Sequence, residues 1–159
     1  MLRTVRDDDL AALAALLREL HDFHAGLEPA LFRRAAAWTA ETAAAAREEA
    51  REAVEGSDCC YVWEDGEGLA GFVRAKRAEV RGDDALFERR MLVVHDLYVR
   101  AERRGRGIGR SLLAAAERRA AELGLDSVEI PVYTRNAAAA AFYAARGYAP
   151  YVTRIRKVL

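Results

Sequence analysis

The stretch Arg103-Arg104-Gly105-Arg106-Gly107-Ile108-Gly109-Arg110 is the part of this chain best suited to chemistry. Glycines at alternate positions let the backbone take positive φ and approach a ligand closely. Successive backbone N–H groups then form an anion-binding nest, and a helix starting just beyond adds its positive end. Arg100, Arg103, Arg104, Arg106 and Arg110 supply charge that can pair with phosphate oxygens. The local physics points to a di- or polyphosphate. No Gly-Lys-Ser/Thr follows, so this is not a P-loop, and the glycine spacing differs from the dinucleotide fingerprint. The plainer alternative is a flexible basic turn.

Several elements must position that stretch. Leu2–Val5 reads as a short strand, and the aspartates at 7–9 can cap the helix that follows. Leu10, Leu13, Leu16, Leu17 and Leu20 recur at helical spacing, which predicts an amphipathic helix ending near His21. His21–Pro29 reads as a linker. Pro29 can open a second helix, carrying Leu31, Phe32, Ala35 and Trp38 and running to about Glu55. Gly56-Ser57-Asp58 marks a turn before a hairpin of Cys59–Glu64 and Leu69–Lys76. Arg81–Asp84 reads as a loop. Met91–Val99 is a mostly apolar strand leading into the glycine-rich stretch. A helix with Leu112, Leu113, Ala116, Ala120 and Leu123 on one face follows, and Gly124 can end it. Ser127–Tyr133 reads as a strand parallel to Met91–Val99, because one helix joins the two. Asn136–Arg146 reads as a helix ended by Gly147, and Tyr148–Tyr151 and Thr153–Leu159 as a final strand pair around Pro150. The expectation is one mixed α/β domain over residues 1–159.

Composition narrows the function classes. The chain carries 25 basic and 25 acidic residues, so no global positive field argues for nucleic-acid binding. Cys59 and Cys60 are adjacent, which gives neither a metal-ligand spacing nor a disulfide framework. Small core residues are the simplest account of them. No apolar run approaches the roughly 20 residues of a membrane span, and no secretory signal is visible. A cytoplasmic protein is the expectation.

The motif set resembles the GNAT (GCN5-related N-acetyltransferase) family. Arg104, Gly107 and Gly109 match its pyrophosphate signature, Gln/Arg-x-x-Gly-x-Gly/Ala. His95-Asp96-Leu97-Tyr98-Val99 resembles the family's fourth strand, and Asn136, Phe142-Tyr143 and Gly147-Tyr148 resemble its later segment. These motifs fall in the family's order across about Met91–Tyr148. Each alone is weak, and the ordered set is specific. The resemblance implies a GNAT acyl-CoA N-acyltransferase fold. That fold has a mixed sheet of six or seven strands, a splay between the fourth and fifth, and helices on both faces. Pro131 fits a splay independently, since proline cannot donate to a ladder.

The resemblance also implies acetyl-CoA as co-substrate. Leu97, Tyr98 and Val99 would line its pantetheine arm. The backbone from Gly105 through Arg106, Gly107, Ile108 and Gly109 to Arg110, with Arg104, would hold the pyrophosphate. Asn136 and Ala139 would meet the pantetheine or adenosine side. Tyr143 matches the tyrosine that relatives place beside the cofactor sulfur, and a phenol is protonated at neutral pH. A backbone N–H near Leu97 would stabilise the oxyanion. Many relatives carry Glu where His95 stands, which leaves His95, a water or another residue as the base. On a regular strand His95 and Asp96 would point to opposite faces, and a bulge would change that.

His21, Asp22, His24 and Glu28 fall where the family flanks its acceptor pocket, and Asp96 and His24 are candidate substrate contacts. Phe23, Trp38, Phe87 and Tyr151 could line a pocket, though core packing explains them equally. The implied reaction is direct acetylation of an amine, with a slight lean toward a small cationic acceptor. Aminoglycosides and protein N-termini or lysines stay open, as does a non-catalytic acyl-CoA sensor. Homodimers are common in the family, so a homodimer is a further open expectation. Nucleic acid and membrane are not expected partners.

Overall fold

The structure is a computed structural model that describes residues 1–157. Its first strand, β1 (Leu2–Thr4), pairs antiparallel with β2 (Cys59–Asp65). Arg3 fixes this corner. Its guanidinium donates to both Asp9 carboxylate oxygens at 2.6 and 2.8 Å and to Glu64 at 2.8 Å.

Helix α1 (Leu10–Leu27) buries Leu10, Leu13, Ala14, Leu16 and Leu20 against the sheet. It runs through the region expected to be a linker. Gly26 costs a helix only about 1 kcal/mol, and Ala25 continues the buried face. Pro29 stops it instead, since the residue before a proline is pushed out of the helical region, and Glu28 sits at φ −130°, ψ 64°.

The helix expected from Pro29 does not form before residue 40. Helix α2 spans Ala40–Glu55, with the Thr39 hydroxyl accepting from the Thr42 N–H. The segment before it is held open by α1 side chains. His21 Nε2 lies 2.6 Å from the Arg33 carbonyl, and Arg18 donates to the Ala36 carbonyl while covering the Trp38 ring at 5.1 Å. Those carbonyls would otherwise serve helical bonds. Leu31 and Trp38, read as a helix face, stay exposed.

The sheet order is β1-β2-β3-β4-β5. Strand β3 (Gly68–Val80) outruns its expected end because it continues pairing with β4 (Arg89–Val99) as far as Val80↔Arg89. Alternation along the strands sends Cys60, Val62 and Phe72 to the α1 face and Cys59, Val73 and Ala75 to the other. There helix α3 (Ile108–Glu122) adds Ile108, Leu112, Ala116 and Ala120. Gly124, at φ +65°, follows its end.

Strand β5 (Ser127–Glu129) is parallel to β4, with Met91↔Ser127, Leu92↔Val128 and Val93↔Glu129 as its pairs. The strand expected to reach Tyr133 stops there, ahead of Pro131. Helix α4 (Ala137–Ala144) is capped by Asn136 and buries none of its residues. Neither closing strand is present among the described residues, and the end of the second, at Leu159, lies outside them. Among the described residues five strands therefore stand where six or seven were expected. A strand needs an edge to pair with, and β5 offers a short one. Pro150 has no N–H to give, and the Tyr151 hydroxyl bonds the Glu129 carboxylate instead.

Candidate active site

Between β4 and β5 the ladder ends at Val93↔Glu129, and both chains continue without pairing. The gap is a cleft of roughly 1090 Å³. Val94–Val99 form one wall, and Ile130, Pro131, Val132 and Tyr133 form the other. Pro131 stands where its missing N–H leaves no ladder bond unmade.

The glycine-rich stretch closes one end. Gly105 and Gly107 sit at φ +77° and +80°, which only glycine adopts readily. Gly107 is the N-cap of α3, so the first N–H groups of that helix have no intrahelical carbonyl to meet. Gly109 has packed neighbours instead of a positive φ. A Cβ there would lie 3.4 Å from the Phe142 ring and 3.7 Å from a Val99 methyl.

The arginines divide. Arg103 braces the stretch against the hairpin turn through Asp65 at 3.6 Å and through Glu67, and Arg100 pairs with Glu19 at 3.1 Å. Arg104 donates from Nε to the Val99 carbonyl at 3.0 Å and lies over the Phe23 and Tyr98 rings. Arg106 and Arg110 line the cleft with no carboxylate partner among the described residues.

Asn136 spends its side-chain oxygen on the Ala139 N–H, at 3.1 Å, so it shapes the cleft by capping α4. Tyr143 lies on the same helix, its ring 5.2 Å from Phe142 and 5.8 Å from Tyr148. Burial pushes its phenol up to about 12, so it keeps its proton at neutral pH.

A bulge in β4 sets the middle of the cleft. Arg74 pairs with Asp96 and Ala75 with Val94, leaving His95 as the extra residue. The bulge breaks the alternation, and His95 and Asp96 both line the cleft. Partial desolvation lowers the His95 pKa below its usual value, with Arg74 and Lys76 adding to the effect and Asp96 opposing it. Asp96 is not free, because Arg74 holds it from Nε and a terminal nitrogen, both at 2.6 Å. His24, at the end of α1, also lines the cleft. Burial lowers its pKa, and Asp96 opposes the shift.

Every residue assigned from sequence to catalysis, cofactor or substrate therefore lies on one surface. The other aromatic and polar candidates scatter. Phe23 lines the cleft, whereas Phe87 is 93% exposed, Trp38 lies under Arg18, and Tyr151 sits on Glu129. Asp22 pairs with Arg18 and Glu28 with Arg135. Cys59 and Cys60 are buried away from the cleft, and desolvation raises their thiols to about 11 and about 12.

Sequence reasoning missed Arg74, Phe32, Tyr133 and Arg146. Arg146 lies 3.7 Å over the Phe142 ring and donates to the Phe142 carbonyl at 2.5 Å. The four-residue spacing of that pair was a usable signal. Nothing local marked Phe32 or Tyr133.

Residues 13–148 match the model of the acetyltransferase (GNAT) family. The chain belongs to the GNAT family. Solved structures share its fold. A mutant of the BH1408 protein from Bacillus halodurans is 22% identical at a TM-score of 0.85, with 100% of this chain and 99% of that one covered. A Trypanosoma brucei acetyltransferase is 19% identical at a TM-score of 0.68, over 100% and 99% of the two chains. AAC(6')-Iy, solved with the bisubstrate analog CoA-S-monomethyl-acetylneamine, is 18% identical at 0.69, over 100% and 98%. No curated protein matches in sequence. GNAT membership accounts for the expected order of strands and helices around the splay. Among the described residues no helix is long and apolar enough to cross a membrane.

Proposed function

We propose that residues 1–159 form one N-acetyltransferase domain, which moves an acetyl group from acetyl-CoA to a primary amine by direct attack in a ternary complex. The observation that carries this reading is the cleft itself. One surface joins an anion nest, two diverging strands and a half-buried, protonated tyrosine.

The site fits acetyl-CoA on its own terms. Positive-φ glycines, open first-turn N–H groups and Arg106 and Arg110, which have no carboxylate partner among the described residues, suit a pyrophosphate. Gly109 leaves room between Val99 and Phe142 that a larger side chain would fill. Leu97, Tyr98 and Val99 offer unpaired strand edge to the pantetheine arm, and Ala139 is small enough to let it pass. The co-substrate supplies an activated acetyl thioester.

In the reaction the neutral amine attacks the thioester carbonyl, so a C–N bond forms and the C–S bond breaks. The amine gives up one proton, to His95 directly or through water, and the leaving thiolate takes one from Tyr143. His95 is suited to this because its lowered pKa keeps it neutral at pH 7. The buried, protonated cysteines lie off the cleft, which disfavours an acyl-cysteine route. The proposed site of action is the cytoplasm; among the described residues no helix is long and apolar enough to cross a membrane.

The test is thiol release from acetyl-CoA across amines, peptides and aminoglycosides, with acetyl-CoA binding measured by calorimetry. Acceptor-dependent release supports the enzyme. Tight binding with no turnover on any acceptor favours a non-catalytic sensor, and no binding overturns the reading of the Gly105–Arg110 backbone.

A further inference from the structure

The acceptor end of the cleft has a composition of its own. Phe23 and His24 from the end of α1, Phe32 from the irregular segment and Tyr133 from the connection into α4 all line it. His24 lies 5.3 Å from Phe32 and 5.2 Å from Tyr133, and Phe32 lies 5.3 Å from Tyr133. Three distant stretches of chain thus meet as one aromatic corner. Beside it Arg135 and Glu28 pair at 3.8 Å, tying two of those stretches together. Phe23 and Tyr133 keep over a third of their surface open, at 36% and 38%.

The charges around this corner are already matched. Asp96 is the only acidic side chain among the described residues that line the cleft, and Arg74 holds it. Glu19 is engaged by Arg100 and by the Tyr98 hydroxyl, and Glu28 by Arg135. A polyamine or aminoglycoside would bring several ammonium groups into a cleft with no spare carboxylate to receive them. Their desolvation would go uncompensated. An aromatic ring would meet ring faces and edges at the distances such pairs prefer.

We propose that the acceptor is a small primary amine carried on an aromatic body, its ring seated against Phe23, His24, Phe32 and Tyr133 and its nitrogen beside His95 and Asp96. This rests on the acetyltransferase reading above and narrows the lean toward a small cationic acceptor to one that carries a single ammonium group on an aromatic body.

The test compares 2-phenylethylamine, n-butylamine, spermidine and neamine as acceptors, with acetyl-CoA affinity followed separately by calorimetry. The expected kcat/KM for 2-phenylethylamine is about 10-fold or more above that for each of the others, the ring contributing what one good aromatic contact does. Phe32→Ala should raise KM for 2-phenylethylamine several-fold more than KM for n-butylamine and leave acetyl-CoA affinity intact. Phe32→Leu, which keeps apolar volume without a ring, should do the same if the alanine variant folds poorly. Spermidine or neamine equalling the aromatic amine would overturn the proposal, as would equal losses for both monoamines in the Phe32 variants. A protein that binds acetyl-CoA but leaves 2-phenylethylamine unacetylated also overturns it, with the cofactor reading intact. Failure to bind acetyl-CoA removes both readings together.

Discussion

The two walls of the cleft are built on different terms. The β4 wall is hydrogen-bonded to β3 from Gly71↔Val99 to Val80↔Arg89 and backed by α3, which buries Ile108, Leu112, Leu113, Ala115, Ala116 and Ala120. The β5 wall has three ladder pairs, and no described residue after Ala120 is buried. It is pinned instead by point contacts, such as the Tyr148 hydroxyl on Glu117 and Tyr133 on His24. Segments with few buried contacts open at low free energy. One wall thus holds its shape through burial, and the other can adjust to what enters between them. The glycine-rich nest lies on the firm wall, and the proposed acid lies on the adjustable one.

The largest effect expected from this division is chemical. Tyr143→Phe removes a hydroxyl from α4 without touching the packed wall, so kcat should fall about 10²- to 10⁴-fold, the usual range for a general acid. Acetyl-CoA affinity and the urea midpoint should hardly move. If kcat is unchanged where chemistry limits the rate, Tyr143 is not the acid. A large loss of stability would instead show that α4 matters more to the fold than its burial suggests.

Stability should divide the same way. Leu112 is fully buried on the α3 face, so Leu112→Ala should cost about 2–5 kcal/mol. Ile155 is 94% exposed, and Ile155→Ala should stay within about 0.5 kcal/mol. Urea unfolding with a common m-value tests both. A comparable loss at Ile155 would mean that the C-terminal segment is buried in the protein in solution.

Two glycines in one turn sharpen the contrast. Gly107→Ala places a side chain at φ +80°, a strain of about 1–2 kcal/mol, and should weaken acetyl-CoA binding about 5- to 30-fold. Gly109→Ala puts its methyl only in ordinary contact with Phe142, on the wall that can yield. Calorimetry should find its affinity within about 3-fold of the parent, well under the tenfold that 1.4 kcal/mol would bring.

The same division explains what could be read from the sequence. The places of Gly107, Asn136 and Tyr143 along the cleft were legible because their requirements are local: positive φ at a helix start, a cap, one helix face. Pro131 was legible because a missing donor is a property of the residue. The His95 bulge depends on the register between β3 and β4, which no single strand encodes. The residues from Pro29 to Trp38 carry helical spacing, yet His21 and Arg18 claim their carbonyls. The two closing strands have suitable residues, but a strand is defined by its partner, and β5 provides little edge. The aromatic corner was missed for the same reason, since Phe32 and Tyr133 meet only in three dimensions.

The smallest effect concerns pH. Desolvation and Arg74 lower the His95 pKa, and burial lowers that of His24, against an ordinary value near 6.5. Lys76 and Asp96 also face His95, the first reinforcing the shift and the second opposing it, while on His24 Asp96 opposes the shift and His21 reinforces it. As pH falls, the unfolded chain binds these protons first. The stability contributed by the neutral imidazoles is therefore complete above about 6.5 and is lost as pH drops through the lower folded values. The activity profile should carry the same mark. If His95 accepts the amine proton, kcat/KM should fall on the acid side with an apparent pKa below about 6.5. His95→Gln should remove that limb while acetyl-CoA affinity holds. An acid limb that survives the substitution in place and shape would move the base to a water or to His24, at the end of α1.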